Sequence, residues 1–390
     1  MKKLKIAVLG TRGFPNVQGG VEAHCENLYP RLAGNGCEIM VFTRKPYVDI
    51  SVGSYQNVRL IPLPCPKSKF FETFLHTFIG IFAAMRYSPD ILHIHAIGPS
   101  LFVPLARLLG FKVVMTSHGP DYQREKWGRL AKIILRLGER LGSSWANQVI
   151  CISEHVAGGI RRRYRREVTV IPNGVAPHDI VQTDVALRRY GLEKGRYFLA
   201  VGRFVPEKGF HDLIDAFNLF QTLNARHCAP VSEQPPADWK LVIVGRADHE
   251  DRYSLDLQEM AGKNNRIVLT GFLKGEPLQE LYSHAGLFVI PSYYEGLPIV
   301  LLEALSYGLS CIASDIPANR NVELPEDRFF QAGDKKALAE KLLEFAGKPL
   351  TENERRQLAQ MIAERYNWDK IAEKTRDVYE KAFSPYIVQC

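Results

Sequence analysis

The chain has 390 residues, 46% hydrophobic and 24% charged, a balance that provides for two or three domains with substantial cores and excludes global disorder. Its formal charge of +8 is uneven: residues 1–173 carry 24 Lys/Arg against 11 Asp/Glu, net +13, whereas residues 174–390 carry 26 against 31, net −5. A basic half suits nucleic acid, an anionic membrane or a phosphorylated substrate, and the lack of an aromatic base-stacking platform beside it disfavours nucleic acid.

Residues 6–9 form an apolar run too short for a signal peptide and read as a first strand. Gly10-Thr11-Arg12-Gly13 and Gly19-Gly20-Val21-Glu22 follow it. This is not the G-x-G-x-x-G pattern, so a nicotinamide cofactor is disfavoured. Gly19 and Gly20 would let backbone N–H groups approach a phosphate, although an ordinary flexible loop has the same composition. Helices are expected at 21–32, 70–86 and 154–163, and strands at 38–43, 91–95, 113–117, 149–153 and 168–171. The most apolar stretch, 70–85, contains Glu72 and His76 and falls short of the ~20 residues of a bilayer span, so no transmembrane segment is predicted.

His93 and His95 share a strand face at period two, which fits core packing or a lone acceptor contact better than a metal site. His118 ends the next strand with Asp121 near it, placed to bond a sugar hydroxyl or phosphate, or to act as acid or base. No Ser or Cys nucleophile accompanies the pair, so a hydrolytic triad is weakly supported. Arg161 to Arg166, the basic amphipathic stretch 127–137, and Phe70, Phe71 and Phe74 beside Lys67 and Lys69 mix cations with apolar groups. Peripheral membrane proteins use such a mixture, and so does a solvated face over a core helix.

Pro172-Asn173-Gly174 reads as a domain boundary, after which the βα pattern restarts with strands at 197–201, 240–244, 267–269, 287–290 and 311–314 and a helix at 210–220. Residues 221–239, with Pro230, Pro235 and Pro236, read as an exposed insertion, and a last helix at 368–383 needs a surface to cover its apolar residues. The expected fold is α/β: two Rossmann-like, doubly wound parallel sheets, 1–173 and 174–367, facing a cleft, followed by a terminal helix, 368–390. Seven scattered cysteines without metal or redox spacing read as reduced thiols in a cytoplasmic protein. With no Asp-x-Asp and no His/Cys cluster, no divalent metal or other cofactor is expected.

Two segments of the second half carry most of the chemistry. In Gly202-Arg203-Phe204-Val205-Pro206-Glu207-Lys208-Gly209, Arg203 can fork onto two phosphate oxygens and Lys208 adds a mobile charge, unless both are solvated surface cations. In the segment 294–303, Glu295 lies in a turn and Glu303 eight positions later, with a helix expected from Pro298. The N–H groups of that helix start favour an anion, and a carboxylate deeper in the helix suits paired hydroxyls. The alternative is an acidic cap and a solvated Glu.

Together with Ser117-His118-Gly119 and Ile171-Pro172-Asn173-Gly174-Val175, these segments resemble glycosyltransferase family 4, retaining nucleotide-sugar transferases of the two-domain GT-B fold, over nearly the whole chain. The opening residues look most like members that build bacterial surface polysaccharides. The resemblance implies that Glu303 binds the nucleotide ribose, that Glu295 and the N–H groups of Gly296 and Leu297 hold the donor sugar, and that Arg203 and Lys208 bind the diphosphate. It further implies that Gly19 and Gly20 close over the diphosphate, that His118 contacts the sugar, and that the last helix returns to the N-terminal domain. Donor binding then falls to the second domain and acceptor binding to the first. Leu297-Pro298 departs from the Phe-Gly of many members.

The expected activity is metal-independent, retaining transfer of a hexose or N-acetylhexosamine from a nucleoside diphosphate sugar, with UDP favoured, to a glycan acceptor. That acceptor is expected to be lipid-linked, with the enzyme peripheral at the inner face of the cell membrane, in polysaccharide or glycoconjugate synthesis. Arg203, Lys208, His118 and Glu295 are the expected catalytic set. An epimerase or phosphorylase on the same fold, or a silent glycan- or nucleotide-binding protein, are the competing readings.

Overall fold

The computed structural model describes residues 3–66, 71–124, 127–226, 238–322, 324–346 and 348–384. Lys67, Lys69, Phe70, most of the Pro-containing insertion, Cys228 and Cys390 lie outside the described residues. Two compact units are formed, one from residues 1–174 with 366–390 and the other from 175–365.

The first unit contains β1 (Leu4–Leu9), α1 (Gly20–Gly34), β2 (Cys37–Arg44), β3 (Ser54–Tyr55), β4 (Val58–Leu63), α2 (Glu72–Met85), β5 (Ile91–His95) and α3 (Val103–Leu108). It continues through β6 (Val113–Ser117), α4 (Arg129–Trp145), β7 (Gln148–Cys151), α5 (Glu154–Tyr164) and β8 (Thr169–Val170). Its strands pair in the order β3-β4-β2-β1-β5-β6-β7-β8, all parallel except the β3/β4 hairpin, which the apolar pattern does not announce. Because the chain moves outward from β1 in one direction and then from β5 in the other, the order reverses between β1 and β5.

The second unit contains α6 (Val185–Tyr190), β9 (Tyr197–Val201), α7 (Phe210–Arg226), β10 (Lys240–Val244), α8 (Arg252–Gly262), β11 (Ile267–Gly271), α9 (Glu276–His284) and β12 (Leu287–Ile290). It ends with α10 (Ile299–Ser306), β13 (Cys311–Ser314), α11 (Pro317–Arg320), β14 (Phe329–Phe330), α12 (Lys335–Ala346) and α13 (Glu352–Arg365). The parallel order β11-β10-β9-β12-β13-β14 reverses between β9 and β12. Helices on both faces explain why strands such as β12 and β13 are buried throughout instead of alternating. The core of this unit packs Phe198, Phe217, Phe220 and Trp239 beside Leu213, Leu241 and Leu342.

The chain ends on α14 (Trp368–Phe383), which belongs to the first unit: Trp368, Ile371, Val378 and Tyr379 join one core with Leu28, Tyr29 and Leu32 of α1. The Pro-Asn-Gly turn takes part in this docking. A Cβ on Gly174 would lie 2.5 Å from the Trp368 ring, and the Asn173 side chain bonds His24 Nδ1 at 2.9 Å. Asn367 caps α14 by accepting from the N–H groups of Asp369 and Lys370.

Candidate functional site

In the second unit, the loop after β9 and the loop after β12 meet at the point where strand order reverses, the place where open parallel sheets bind ligands. Gly209, at φ +65°, lies so close to Pro291 that an added Cβ would stand 2.2 Å from the Pro291 carbonyl oxygen, and the Glu207 carbonyl accepts from the Tyr293 N–H at 2.9 Å. These contacts bring Lys208 Nζ to 2.5 Å from Glu295 Oε1, which also accepts from Ser292 Oγ at 2.7 Å. Arg203 Nη1 meets Asp248 Oδ2 at 2.7 Å. Exposures of 17% and 12% for Lys208 and Glu295, and 21% for each of Arg203 and Asp248, rule out a pair of freely solvated surface cations.

Pro298 is extended and caps α10 instead of beginning it, so the helix starts one residue later than the Pro rule places it. Glu303 is partly buried within α10 and accepts from the Tyr282 hydroxyl at 3.0 Å. Burial raises its carboxyl to about 7, against the opposing pull of the Tyr282 hydrogen bond and the Lys274 charge. Tyr282 stacks on Tyr307, which stacks in turn on His178 with ring centroids 4.7 Å apart and planes nearly parallel. Glu303 is therefore neither a solvated helix residue nor committed to its charged form at neutral pH.

In the first unit, Gly19 adopts φ +150°, and a Cβ there would clash with Glu22 Oε2 and Arg12 Nη2. Glu22 receives the Arg12 backbone N–H at 3.1 Å and its Nε at 3.2 Å. Burial alone would raise the Glu22 carboxyl, but the Arg12 charge and hydrogen bonds hold it below its ordinary value. The glycine loop is thus pinned by an internal ion pair, which corrects the reading of an ordinary flexible loop. Space is open where a Cβ would stand on Gly20.

His118 Nε2 lies 2.9 Å from His95 Nδ1, while Asp121 pairs with Arg124 at 3.0 Å, so the expected His118–Asp121 couple is replaced by a histidine chain. His95 Nε2 bonds the Tyr29 hydroxyl; His93 Nδ1 meets Tyr379 at 2.7 Å and His93 Nε2 meets Thr116 Oγ1 at 2.7 Å. Burial, reinforced by neighbouring histidines, depresses His24, His93 and His118 to about 3, and His95 moves in the same direction. All four are neutral at pH 7. His118 is therefore equipped as a neutral hydrogen-bonding group rather than as a cation.

The basic run has specific partners. Arg163 is tied to Glu139, Arg161 to Glu154, and Arg166 caps the carbonyls of Ala146 and Asn147. Arg166 ties the end of α4 and Arg163 reaches the buried Glu139, while Arg161 and Glu154 form a largely exposed ion pair on α5.

Two family profiles match the chain and between them account for most of it: Glycosyltransferase Family 4 over residues 18–179 and Glycosyl transferases group 1 over residues 185–365. The chain belongs to the family 4 glycosyltransferases. An Escherichia coli UDP-Gal:alpha-D-GlcNAc-diphosphoundecaprenol alpha-1,3-galactosyltransferase is 27% identical to this glycosyltransferase over 285 residues, covering 70% of this chain and 69% of the relative. Among solved structures, a sucrose-phosphate synthase from Thermosynechococcus elongatus superposes with a TM-score of 0.79 at 22% identity, covering 98% of this chain and all of that one. Anabaena HepE in complex with UDP and glucose superposes with a TM-score of 0.74 at 17% identity over 97% of this chain and all of that one. The fold of this glycosyltransferase is GT-B.

Of the sequence-nominated donor residues of this glycosyltransferase, Lys208 and Glu295 are brought into contact, with Gly296 and Leu297 next in the same loop; Arg203 and Glu303 stand beside partners that motif reading overlooked. Those partners are Asp248, Ser292 and Tyr282. A signal for the first was available: β9 and β10 both end in Val followed by Gly-Arg, Val201 pairs with Val244, and the Gly202 N–H bonds the Val244 carbonyl. The repeated tripeptide marks the β10 loop as a neighbour of the β9 loop. Nothing in the local pattern of Tyr282 marks it as the hydrogen-bond donor to Glu303.

Proposed function

We propose that this glycosyltransferase moves a hexose or N-acetylhexosamine from a UDP-sugar to a glycan acceptor, with retention of anomeric configuration and without a divalent metal. The observation that carries the reading is the Lys208–Glu295 ion pair straddling the strand-order reversal of the second unit. Without a donor, Lys208 and Arg203 are held in place by Glu295 and Asp248; an arriving diphosphate exchanges those counter-ions for its own oxygens. Lys208 and Arg203 then neutralise the charge that grows on the leaving diphosphate as the glycosidic bond breaks. Glu295, released from Lys208, accepts from sugar hydroxyls together with the backbone at Gly296 and Leu297, and Glu303 accepts from the ribose.

For Gly19 and Gly20 we propose contacts to the phosphates, and for neutral His118 a hydrogen bond to the sugar. The acceptor hydroxyl attacks on the face that the diphosphate leaves, and the leaving group takes its proton. The second unit binds the donor and the first unit the acceptor. A lipid-linked glycan acceptor is supported by the Escherichia coli relative, whose name specifies a diphosphoundecaprenol acceptor, and a UDP donor by that name and by HepE. A place in polysaccharide or glycoconjugate synthesis follows from such an acceptor.

The experiment has two steps. UDP- and GDP-sugars are screened for thermal stabilisation, where a ligand at 100 times its dissociation constant adds ~2.7 kcal/mol. The stabilising donor is then incubated with lipid-linked acceptors, and the new linkage is read by proton NMR with and without EDTA. A linkage of the donor's own configuration, formed at equal rates in both samples, is expected. An inverted linkage, or activity abolished by EDTA and restored by a divalent ion, would refute the mechanism; product formed without acceptor, or consumption of phosphate, would favour an epimerase or a phosphorylase.

A further inference from the structure

Helix α2 is built inside out. Its buried face carries Glu72, His76 and Thr77 ahead of Gly80, Ile81 and Ala84, and Glu72 is held there by Arg44 Nη1 at 2.9 Å and the Tyr47 hydroxyl at 2.6 Å. Its outward face, with the residue before it, is Phe71, Leu75, Phe78, Phe82 and Met85, all exposed, with Phe71 at 71%. The spacing of three and four places them on one stripe. An ordinary surface helix has the opposite arrangement.

Helix α4 adds a second outward stripe. Leu130, Ile133 and Leu137 are exposed, with Leu130 at 72%, while the helix packs inward through Leu135, Gly138, Glu139 and Gly142. Beside that apolar stripe runs a basic one of Arg129, Lys132, Arg136 and Arg140. Arg129, Lys132 and Arg140 pair with no carboxylate among the described residues. Both helices cover the same side of the sheet, where Ile81 and Ala84 of α2 share a core with Leu135 of α4. They flank the turn at Gly98, whose added Cβ would lie 3.5 Å from Leu135 and 3.8 Å from Thr73. Phe102 at the end of that turn packs its ring on Phe74 and Phe78.

We infer that the outward faces of α2 and α4 form one membrane-docking surface, which seats Phe71, Leu75, Phe78, Phe82, Leu130, Ile133 and Leu137 in the interface of an anionic bilayer while the basic stripe of α4 meets the lipid headgroups. Charge complementarity selects the occupant. A protein partner would bury the apolar stripe but leaves Arg129, Lys132 and Arg140 without a counterpart, whereas an anionic lipid surface supplies apolar and negative groups in adjoining layers. Trp145, exposed at the end of α4, is a residue type favoured at such interfaces. No described helix is long and apolar enough to cross a membrane, so the contact is peripheral. Arg161, Arg163 and Arg166 already have partners in Glu154, Glu139 and the Ala146 and Asn147 carbonyls, and the contact does not require them. This surface goes beyond the transfer reaction and is testable without donor or acceptor.

The experiment is co-sedimentation of the whole protein with vesicles of phosphatidylcholine, with and without phosphatidylglycerol. Binding to the anionic vesicles at low salt is expected, weakening as salt rises. The triple variant Leu130→Gln/Ile133→Gln/Leu137→Gln and the double variant Phe78→Gln/Phe82→Gln are each expected to lower partitioning by about tenfold or more with unchanged melting temperature, because the side chains are exposed. Arg129→Gln/Lys132→Gln/Arg140→Gln should abolish the preference for anionic lipid, and Arg162→Gln should bind as wild type. Wild-type protein that fails to bind at low salt, or variants that bind as wild type, would overturn the inference. So would a concentration-dependent dimer, lost in the apolar variants, in protein that ignores vesicles. Each of these failures leaves the donor-site reading standing.

Discussion

Replacing Lys208 or Arg203 by alanine is expected to lower turnover by about 10²–10³-fold while the fold survives, the scale on which removal of one positioned transition-state donor acts. Both side chains reach from the β9 loop toward carboxylates on other loops, Glu295 and Asp248, and neither is part of the apolar core. Their loss therefore removes charge and positioning without opening a cavity. Lys208→Ala leaves Glu295 with the Ser292 hydroxyl as its side-chain partner among the described residues, so a small additional loss of stability is expected. The measurement is the initial rate at saturating donor, beside circular dichroism and melting temperature. Near-wild-type turnover in both variants would remove the cations from the mechanism.

Glu303→Gln is expected to weaken nucleotide-sugar binding by about 10–100-fold and to abolish its pH dependence, since a hydrogen bond to a charged acceptor is worth ~1.5–3 kcal/mol. In the unliganded protein, burial raises the Glu303 carboxyl to about 7 from its ordinary value of 4.5. The native state therefore holds the proton longer than the unfolded chain. The stability this confers is complete below the unfolded value, declines as pH rises, and is lost above about 7. Ribose hydroxyls donate to the ionised form, so wild-type affinity should climb as pH passes through the same region. Glutamine neither titrates nor carries charge. The variant should melt higher than wild type at pH 8 and yet bind more weakly, with flat affinity between pH 6 and 8. Calorimetric titration with the stabilising UDP-sugar checks the binding, and thermal melts check the stability. Equal affinities and parallel pH profiles would remove Glu303 from the ribose site.

Glu295 and Lys208 were legible as one site because each sits where a parallel strand hands over to a helix, and such positions converge at the strand-order reversal. Helix α14 was legible for a related reason: a helix with one apolar face after a completed domain must find cover, and α1 provides it. What stayed hidden depends on partners distant in the chain. Asp248 lies 45 residues from Arg203 and Tyr282 lies 21 from Glu303, so no local pattern identifies either contact. In the Arg161–Arg166 run a sequence shows charge but not that Arg163 reaches the buried Glu139 or that Arg166 binds the Ala146 and Asn147 carbonyls. In helix α2 the apolar residues signal a helix, but only the Arg44–Glu72 pair beneath shows that the polar residues face inward.

The most direct measurement of the donor site is hydrogen exchange in the presence and absence of saturating UDP. The account predicts slowed exchange in the loop at 202–209 and across 291–303, where Arg203, Lys208, Glu295 and Glu303 converge on the nucleotide. Protection confined to the first unit, or none at saturation, would contradict it.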